Sequence, residues 1–314
     1  MPGQNPTTIS SPGVVLAFRT PHNDYAANGV GSHPVLKRTN ERLLDLADYH
    51  LRDGIKMEYQ TSRTAVRTAL VTGASRGIGS AIATRLALNG IRVAIHFGRS
   101  QDDAMQLAAI LRSQGAPDPL VVKADVADAD AVRDLVMQCE DELDGLDLLV
   151  NNAGIYLDSP FDMPNFDEWA DTWATVLNTN LMSAVHAVHT VLPGMRERGF
   201  GKIINVASRS AFRAETSAPA YAVSKAGMVN LTRSVARAAA VNGIRAYCIA
   251  PGWVETAMAR DAVAAMHDEI VAQIPMGRIA TVQDVAGVAA FLASPDADYL
   301  TGITIDVNGG SYLH

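Results

Sequence analysis

The chain has 314 residues, 48% of them hydrophobic and 19% charged, enough for one large α/β domain with an appendage. A net charge of −7 without any run of five lysines or arginines excludes the basic footprint of a nucleic-acid or anionic-membrane partner. No apolar stretch reaches the roughly 18 residues of a membrane helix, and the N-terminus lacks the basic-then-apolar order of a secretory leader. The two cysteines, Cys139 and Cys248, fall in an expected helix and an expected buried strand. They form no disulfide framework and fit a reducing, cytoplasmic setting. The eight histidines make no metal-ligand pattern. His186 and His189 stand three apart on an expected helix without a Cys or acidic partner, and read as packing or surface groups.

Residues 1–64 stand outside the pattern that follows. Pro2, Pro6, Pro12, Pro21 and Pro34 among Gly, Ser, Thr and Asn predict a flexible opening. Asn40 to Leu51 fits a short amphipathic helix with Leu43, Leu44, Ala47 and Leu51 on one side. Three readings stand side by side: a flexible leader, a lid or interface helix, or sequence lying upstream of a natural start at Met57.

From Arg67 onward, residues 65–314 read as a single domain. Apolar strand-like runs alternate with helical ones, the signature of a parallel sheet covered on both faces. The first strand ends in Ala69-Leu70-Val71 and breaks into Thr72-Gly73-Ala74-Ser75-Arg76-Gly77-Ile78-Gly79. Gly73, Gly77 and Gly79 permit a tight turn and close approach of backbone to a ligand. The helix that follows directs its free N–H groups at an anion. Ile78, Ile82 and Leu86 recur at four-residue spacing along that helix, and Asn89-Gly90 can end it. Further strands are expected at Ile91 to Phe97, Leu120 to Lys123, Leu146 to Asn151, Lys202 to Ala207, Ile244 to Ala250 and Ile303 to Val307. Seven strands with helices between them predict a doubly wound, Rossmann-type sheet.

The end of the second strand is where a dinucleotide's adenosine ribose is read. The residues there are His96-Phe97-Gly98-Arg99-Ser100, with no carboxylate to take a 2′-hydroxyl. Arg99 and Arg76 suit a 2′-phosphate through charge-assisted hydrogen bonds, so NADP is favoured over NAD. The alternative is that both arginines are merely solvated.

Tyr221 and Lys225 lie four apart and share one helix face, and Ser208 stands at the end of the fifth strand. A free tyrosine titrates near pH 10. A neighbouring ammonium favours its phenolate, so Lys225 is expected to lower the Tyr221 pKa and make it a usable acid or base. Ser208 is placed to hydrogen-bond a substrate oxygen as charge develops on it.

The T-G-x-x-x-G-x-G turn together with Ser208 and Tyr221-x-x-x-Lys225 resembles the short-chain dehydrogenase/reductase family over about Arg67 to His314. The resemblance implies roles for more residues. Ser75, Arg76, Ile78 and Ser100 would belong to the cofactor cradle. Asp125 and Val126 would contact adenine, and Asn152, Ala153 and Gly154 of the Asn-Asn-Ala-Gly turn would line the cofactor. Asn180 matches a fourth catalytic position, linked to the lysine through water. Pro251 and Gly252, with Val254 and Thr256, resemble the segment closing over the nicotinamide carboxamide. The implied reaction is hydride exchange between NADP(H) and a carbonyl or secondary alcohol, with a homotetramer built on the long helices beginning near Thr172 and Tyr221.

Ile274-Pro275-Met276-Gly277-Arg278 and the ending Val307-Asn308-Gly309-Gly310 look most like 3-oxoacyl-[acyl-carrier-protein] reductases. Two departures favour a broader carbonyl reductase. The stretch Gly154 to Asn180 is a few residues longer than in those enzymes, and Gly199 and Asn242 stand where they commonly carry basic residues. Phe161, Trp169, Phe212, Trp253, Met258, Met266 and Met276 suit a mostly apolar substrate pocket. The competing reading is a non-catalytic NADP-binding protein that regulates a partner.

Overall fold

The computed structural model describes residues 65–314. The expected Asn40 to Leu51 helix and the choice among the three readings of residues 1–64 lie outside them. Strands β1 (Thr68–Val71), β2 (Arg92–Phe97), β3 (Leu120–Lys123), β4 (Leu148–Asn151), β5 (Gly201–Val206), β6 (Ile244–Pro251) and β7 (Thr304–Val307) form one sheet. Its order is β3-β2-β1-β4-β5-β6-β7, and every neighbouring pair is parallel. All seven expected strands are present, with several ends shifted by a residue or two, the usual margin for strand and helix ends.

The period-two alternation of the strands sorts side chains onto two cores. Ala69, Val71, Val93, Ile95, Leu148 and Val150 face one way. They pack against α1 (Gly77–Leu88), α2 (Gln101–Ser113) and α8 (Val282–Ala293) through Ile82, Leu86, Leu111 and Leu292. Leu70, Ala94, Leu149, Ile203 and Ala246 face the other way. Against them lie α3 (Ala129–Glu142), α5 (Ser183–Arg198) and α6 (Pro219–Ala239), contributing Val136, Cys139, Val191, Met195 and Val235. Strands buried on both faces need continuous apolar runs, which is why these segments stood out in the sequence. Cys139 and Cys248 are both buried free thiols.

Two helices remain, α4 (Phe166–Leu177) and α7 (Arg260–Ala272). The chain runs from α4 into α5 through a π-helical turn, Asn178–Met182. Among the described residues no helix is long and apolar enough to cross a membrane. No cluster of His, Cys, Asp and Glu there suits a metal ion. The strand order reverses direction between β1 and β4, so their C-terminal ends open the crevice in which such folds place ligands.

Candidate active site

The glycine turn is fixed from two sides. Gly73 takes φ +64°, and its N–H donates to His96 Nδ1 at 2.9 Å. His96 Nε2 lies 3.2 Å from the Ala124 carbonyl at the end of β3. Since Nδ1 accepts, Nε2 carries the proton and the ring is neutral. Burial lowers the His96 pKa, against the opposing pull of Ala124 and Asp125. On the other side, Thr72 Oγ1 accepts from the N–H groups of Asn152 and Ala153 at 2.9 and 3.0 Å. Asn152 Nδ2 returns a bond to the Thr72 carbonyl at 2.8 Å. A Cβ on Gly79 would run into the Gly73 carbonyl and Asn152 Nδ2, so only glycine lets α1 come this close.

This cradle fits a dinucleotide phosphate. Arg76 at the N-cap of α1 makes no side-chain cap, and the first turn holds no acidic residue. Nothing lies nearer than 3.7 Å to where a Gly77 Cβ would be, and the atom at that distance belongs to Thr256. The first N–H groups of the helix therefore face space without a protein acceptor on the N-cap side chain, a setting that suits an anion. Thr72 and His96 are part of the cradle but were missed as site residues. The visible signal for His96 was a polar side chain inside the apolar strand Arg-Val-Ala-Ile-His-Phe.

The outer part of the expected cofactor site is looser. Arg76 and Arg99 are exposed, while Ser75 and Ser100 are half-buried. Arg76, Ser75 and Asp103 line a cavity of about 310 Å³ between the turn and α2, of which Arg99 is not part. Asp125 is exposed and accepts from the Ala127 N–H at 3.0 Å, with Val126 half-buried beside it.

Deeper in the crevice, the fourth and fifth strands bring four expected residues together. Asn180 sits on the π-helical turn, fully buried. Its Oδ1 accepts from the Ile155 N–H at 2.8 Å, and its Nδ2 donates to the Ile155 carbonyl and to Ser224 Oγ at 2.9 and 3.1 Å. Lys225 Nζ, also buried, donates to the Val206 carbonyl at 2.8 Å. Gly154 lies between them: a Cβ there would stand 3.3 Å from Asn180 Oδ1 and 3.5 Å from Lys225 Nζ. Asn151 donates to Asn205, which donates to Thr232, at 2.8 Å in each case, tying β4 and β5 to α6 beneath the site.

The electrostatics of the Tyr221 and Lys225 pair differ from the expectation. Burial pushes the Tyr221 phenol up to about 12, with Tyr156 and Glu215 adding to it and a hydrogen bond with Ser208 opposing. Burial also pushes Lys225 down to about 8. The ammonium is 5.7 Å from the centre of the phenol ring and bonded to a carbonyl, so it does not bring the phenol into the neutral range. Each group loses hydration, which disfavours its charged form, and the pull that opposes this at the phenol comes from Ser208 rather than from Lys225. Tyr156 tilts over Tyr221 at 5.0 Å between ring centres, and its hydroxyl meets Ser217 Oγ at 3.1 Å. Ser208 Oγ accepts from the Ser210 N–H at 3.1 Å.

The segment after β6 closes the site. The Gly252 N–H donates to the Val307 carbonyl at 3.0 Å, and a Cβ on it would stand 2.8 Å from Asn308 Cβ. Val254 is buried and bridges to Ala280, which places Thr256 against Gly77. Pro251 is buried at the end of β6. A hollow of about 960 Å³ touches only Gly77 and Thr256 of the expected site residues and extends between α1, α7 and α8. Of the expected apolar wall, Trp169, Phe212 and Trp253 are half-buried. Phe161, Met258, Met266 and Met276 are exposed, and Phe161, Phe166, Trp169 and Trp173 form an aromatic cluster of their own.

A parallel sheet with a switch point between β1 and β4, a glycine turn and polar groups gathered at strand ends defines a Rossmann-type α/β protein. The family model described as enoyl-(acyl carrier protein) reductase matches residues 73–312. An acetoacetyl-CoA reductase of Rhizobium meliloti is 38% identical over 248 residues, 79% of this chain and 99% of the relative. The 3-oxoacyl-[acyl-carrier-protein] reductase FabG of Staphylococcus aureus is 37% identical over 247 residues, 79% of this chain and 98% of its own. Among solved structures, a Beutenbergia cavernae protein described as an NAD(P)-dependent gluconate 5-dehydrogenase, with NADP bound at low occupancy, superposes with a TM-score of 0.73. It is 36% identical, and the match covers 79% of this chain and 97% of that one. The chain belongs to the short-chain dehydrogenase/reductase family, oxidoreductases that act on CH–OH or carbonyl groups and bind a nicotinamide cofactor.

Proposed function

We propose that the protein is an NADP(H)-dependent reductase of a carbonyl compound, or in reverse a dehydrogenase of a secondary alcohol. The observation that carries this reading is the meeting of Ser208, Tyr221, Lys225 and Asn180 at the ends of β4 and β5, next to a phosphate-fitting glycine turn. A bound nicotinamide cofactor supplies the hydride. The Tyr221 phenol, protonated at neutral pH, donates its proton to the carbonyl oxygen as the carbon is reduced, and Ser208 holds that oxygen by a hydrogen bond. Lys225 stands beside the phenol ring, and Asn180 holds Ile155 and Ser224 next to it. Thr72, His96 and Asn152 hold the turn, and Ser75, Arg76, Ile78, Asp125, Val126, Ala153, Pro251, Gly252, Val254 and Thr256 line the expected path of the cofactor.

NADP is preferred because Phe97 to Ser100 at the end of β2 include no carboxylate and two exposed arginines stand nearby in the chain, Arg76 in the glycine turn and Arg99 just after β2; the NADP-bound neighbour supports this. The names of the relatives favour a 3-oxo thioester as a second substrate reading. The protein is further proposed to be cytoplasmic, in keeping with two buried free thiols, and to assemble as a homotetramer through α4, α5 and α6, which a measured mass in solution tests.

The test of the reaction is a panel of ketones, keto acids, keto esters and 3-oxo thioesters with NADPH and NADH. Tyr221→Phe is expected to lower turnover at least about 100-fold while NADPH still quenches protein fluorescence. Binding of NADPH without turnover of any panel member by the unaltered protein would favour a non-catalytic binding role. Unchanged NADPH affinity in Arg99→Ala and Arg76→Ala would remove the assignment of the phosphate.

A further inference from the structure

Arg209 directly follows Ser208 and opens a short 3-10 turn, Arg209–Ala211. Only 7% of the residue is exposed. Burying a guanidinium is costly unless a counter-charge meets it, yet among the described residues no carboxylate lies within salt-bridge distance. Of its five donors, one is engaged, Nη1 to Ser311 Oγ at 3.1 Å. Nε and Nη2 have no partner among the described residues and are not sealed from the outside. The charge rests over the Trp253 ring at 5.6 Å from its centre, and Trp253 follows the Pro251-Gly252 corner that closes the site. The one carboxylate on the same segment, Glu215, accepts instead from Ser210 Oγ at 2.8 Å. Desolvation, and Arg213 after it, disfavour the Arg209 charge, while Glu215 favours it from a distance.

The floor and walls around this cation come from three parts of the chain. Phe212 from the same turn stacks on His314 at 3.6 Å between ring centres. Tyr312 donates to the Phe212 carbonyl at 2.9 Å, and Ser311 reaches Arg209 itself. The C-terminal residues thus hold the guanidinium in place without neutralising it. A planar donor fork held rigid beside an aromatic face, with two nitrogens open, matches a carboxylate in bidentate geometry.

We propose that Arg209 is a specificity-determining residue that recognises a carboxylate on the substrate, making the preferred substrates short oxo acids rather than neutral ketones or thioesters. This rests on the carbonyl-reductase reading above and sharpens it. The guanidinium rests on Trp253, the residue after Gly252 of the corner that closes the site, and Ser208, which bonds Tyr221, precedes Arg209 in the chain, so the carbonyl and the carboxylate of one oxo acid are the two groups this pair would hold.

The test uses the full chain and the 2-oxo, 3-oxo and 4-oxo carboxylates of four to six carbons, each paired with its methyl ester. For the best acid, the ratio of kcat/KM for acid over ester is expected to exceed unity and to fall at least tenfold in Arg209→Met, with partial recovery in Arg209→Lys. Because the ratio compares two substrates on one protein, general damage from the substitution cancels. An unaltered ratio in Arg209→Met, or a preference for esters in the unaltered protein, overturns the proposal while leaving the reductase reading standing. A second readout needs no turnover: levulinate titrated with oxidised cofactor present is expected to change tryptophan emission saturably. That change should be absent with methyl levulinate, lost in Arg209→Met and lost in Trp253→Phe. Saturable binding without turnover of any oxo acid would remove the reductase reading and keep the anion site; no binding would remove the site.

Discussion

Gly154 shows how much of this site rests on a single missing carbon. No positive φ is required there, so alanine strains no backbone. Its methyl group would nevertheless stand 3.3 Å from Asn180 Oδ1, which must give by a few tenths of an ångström, and in ordinary contact, 3.5 Å, with Lys225 Nζ. Gly154→Ala is therefore expected to lower kcat about tenfold, since small displacements of positioning groups are felt strongly in the rate. The thermal midpoint should change little, and the pair of measurements separates a positioning effect from general destabilisation. His96 makes a second prediction at this scale. Protonation turns Nδ1 from acceptor into donor, facing the Gly73 N–H 2.9 Å away. Because burial lowers its folded-state pKa, the unfolded chain takes up that proton first as the pH falls. The stabilisation is whole above about pH 6.5 and is lost on descending from there toward the lowered folded value. His96→Phe leaves the Gly73 N–H without its acceptor, at a cost of about 1–3 kcal/mol. It should weaken NADPH binding and flatten the slope of the thermal midpoint between about pH 5 and 7. An unchanged slope would show that the imidazole does not titrate with folding.

At the scale of elements, α8 depends on its cap. Thr281 Oγ1 accepts from the Asp284 N–H at 3.3 Å, and the Asp284 carboxylate takes the Thr281 N–H at 2.8 Å. Arg278 forks onto the same carboxylate at 2.7 and 3.0 Å. Together, with Arg278 first, they hold Asp284 well below the usual carboxylate range. Thr281→Ala is expected to cost about 1 kcal/mol, or about 2–4 °C in thermal midpoint for a domain of this size, measured by calorimetry. Elements of this kind were the legible part of the chain. Val93 to Ile95 and Leu148 to Val150 are uninterrupted apolar runs because both faces of a parallel strand are buried, and that shows in composition alone. The Thr-Gly turn and the Tyr221 to Lys225 spacing were legible because they are local in sequence. The π-helical turn at Asn178–Met182 was not, since nothing in Asn-Thr-Asn-Leu-Met distinguishes one extra residue per turn from an ordinary helix. Nor was the direction of the Tyr221 pKa. Attraction between neighbours can be guessed from spacing, whereas desolvation depends on Tyr156, Ser217 and the rest of a wall that only the fold assembles. Arg209 stands three residues before Phe212, which reads as part of an apolar pocket, and its missing counter-charge becomes visible only once Glu215 is seen to be bonded elsewhere.

At the scale of the molecule, the sheet and the eight helices of the described residues run from Thr68 onward. β1, third in the order, is the earliest of these elements and pairs with both β2 and β4. The match to the family begins at Gly73, and the Rhizobium relative is covered over 99% of its length by 79% of this chain. A chain beginning at Met57 keeps all of β1 and the turn that follows it. Such a chain should unfold within about 1 °C of the full-length protein, below the shift of about 2–4 °C that a loss of about 1 kcal/mol gives. It should also turn over the best substrate within about twofold, a difference in barrier below about half a kcal/mol. Thermal unfolding and steady-state rates on the two chains, in the same buffer and at equal concentration, make the comparison. A midpoint lower by many degrees would mean that the preceding residues contribute folding free energy to the domain. A lower kcat at equal stability would mean that they act on the crevice itself. The two failures point to different physics, and the paired measurement tells them apart.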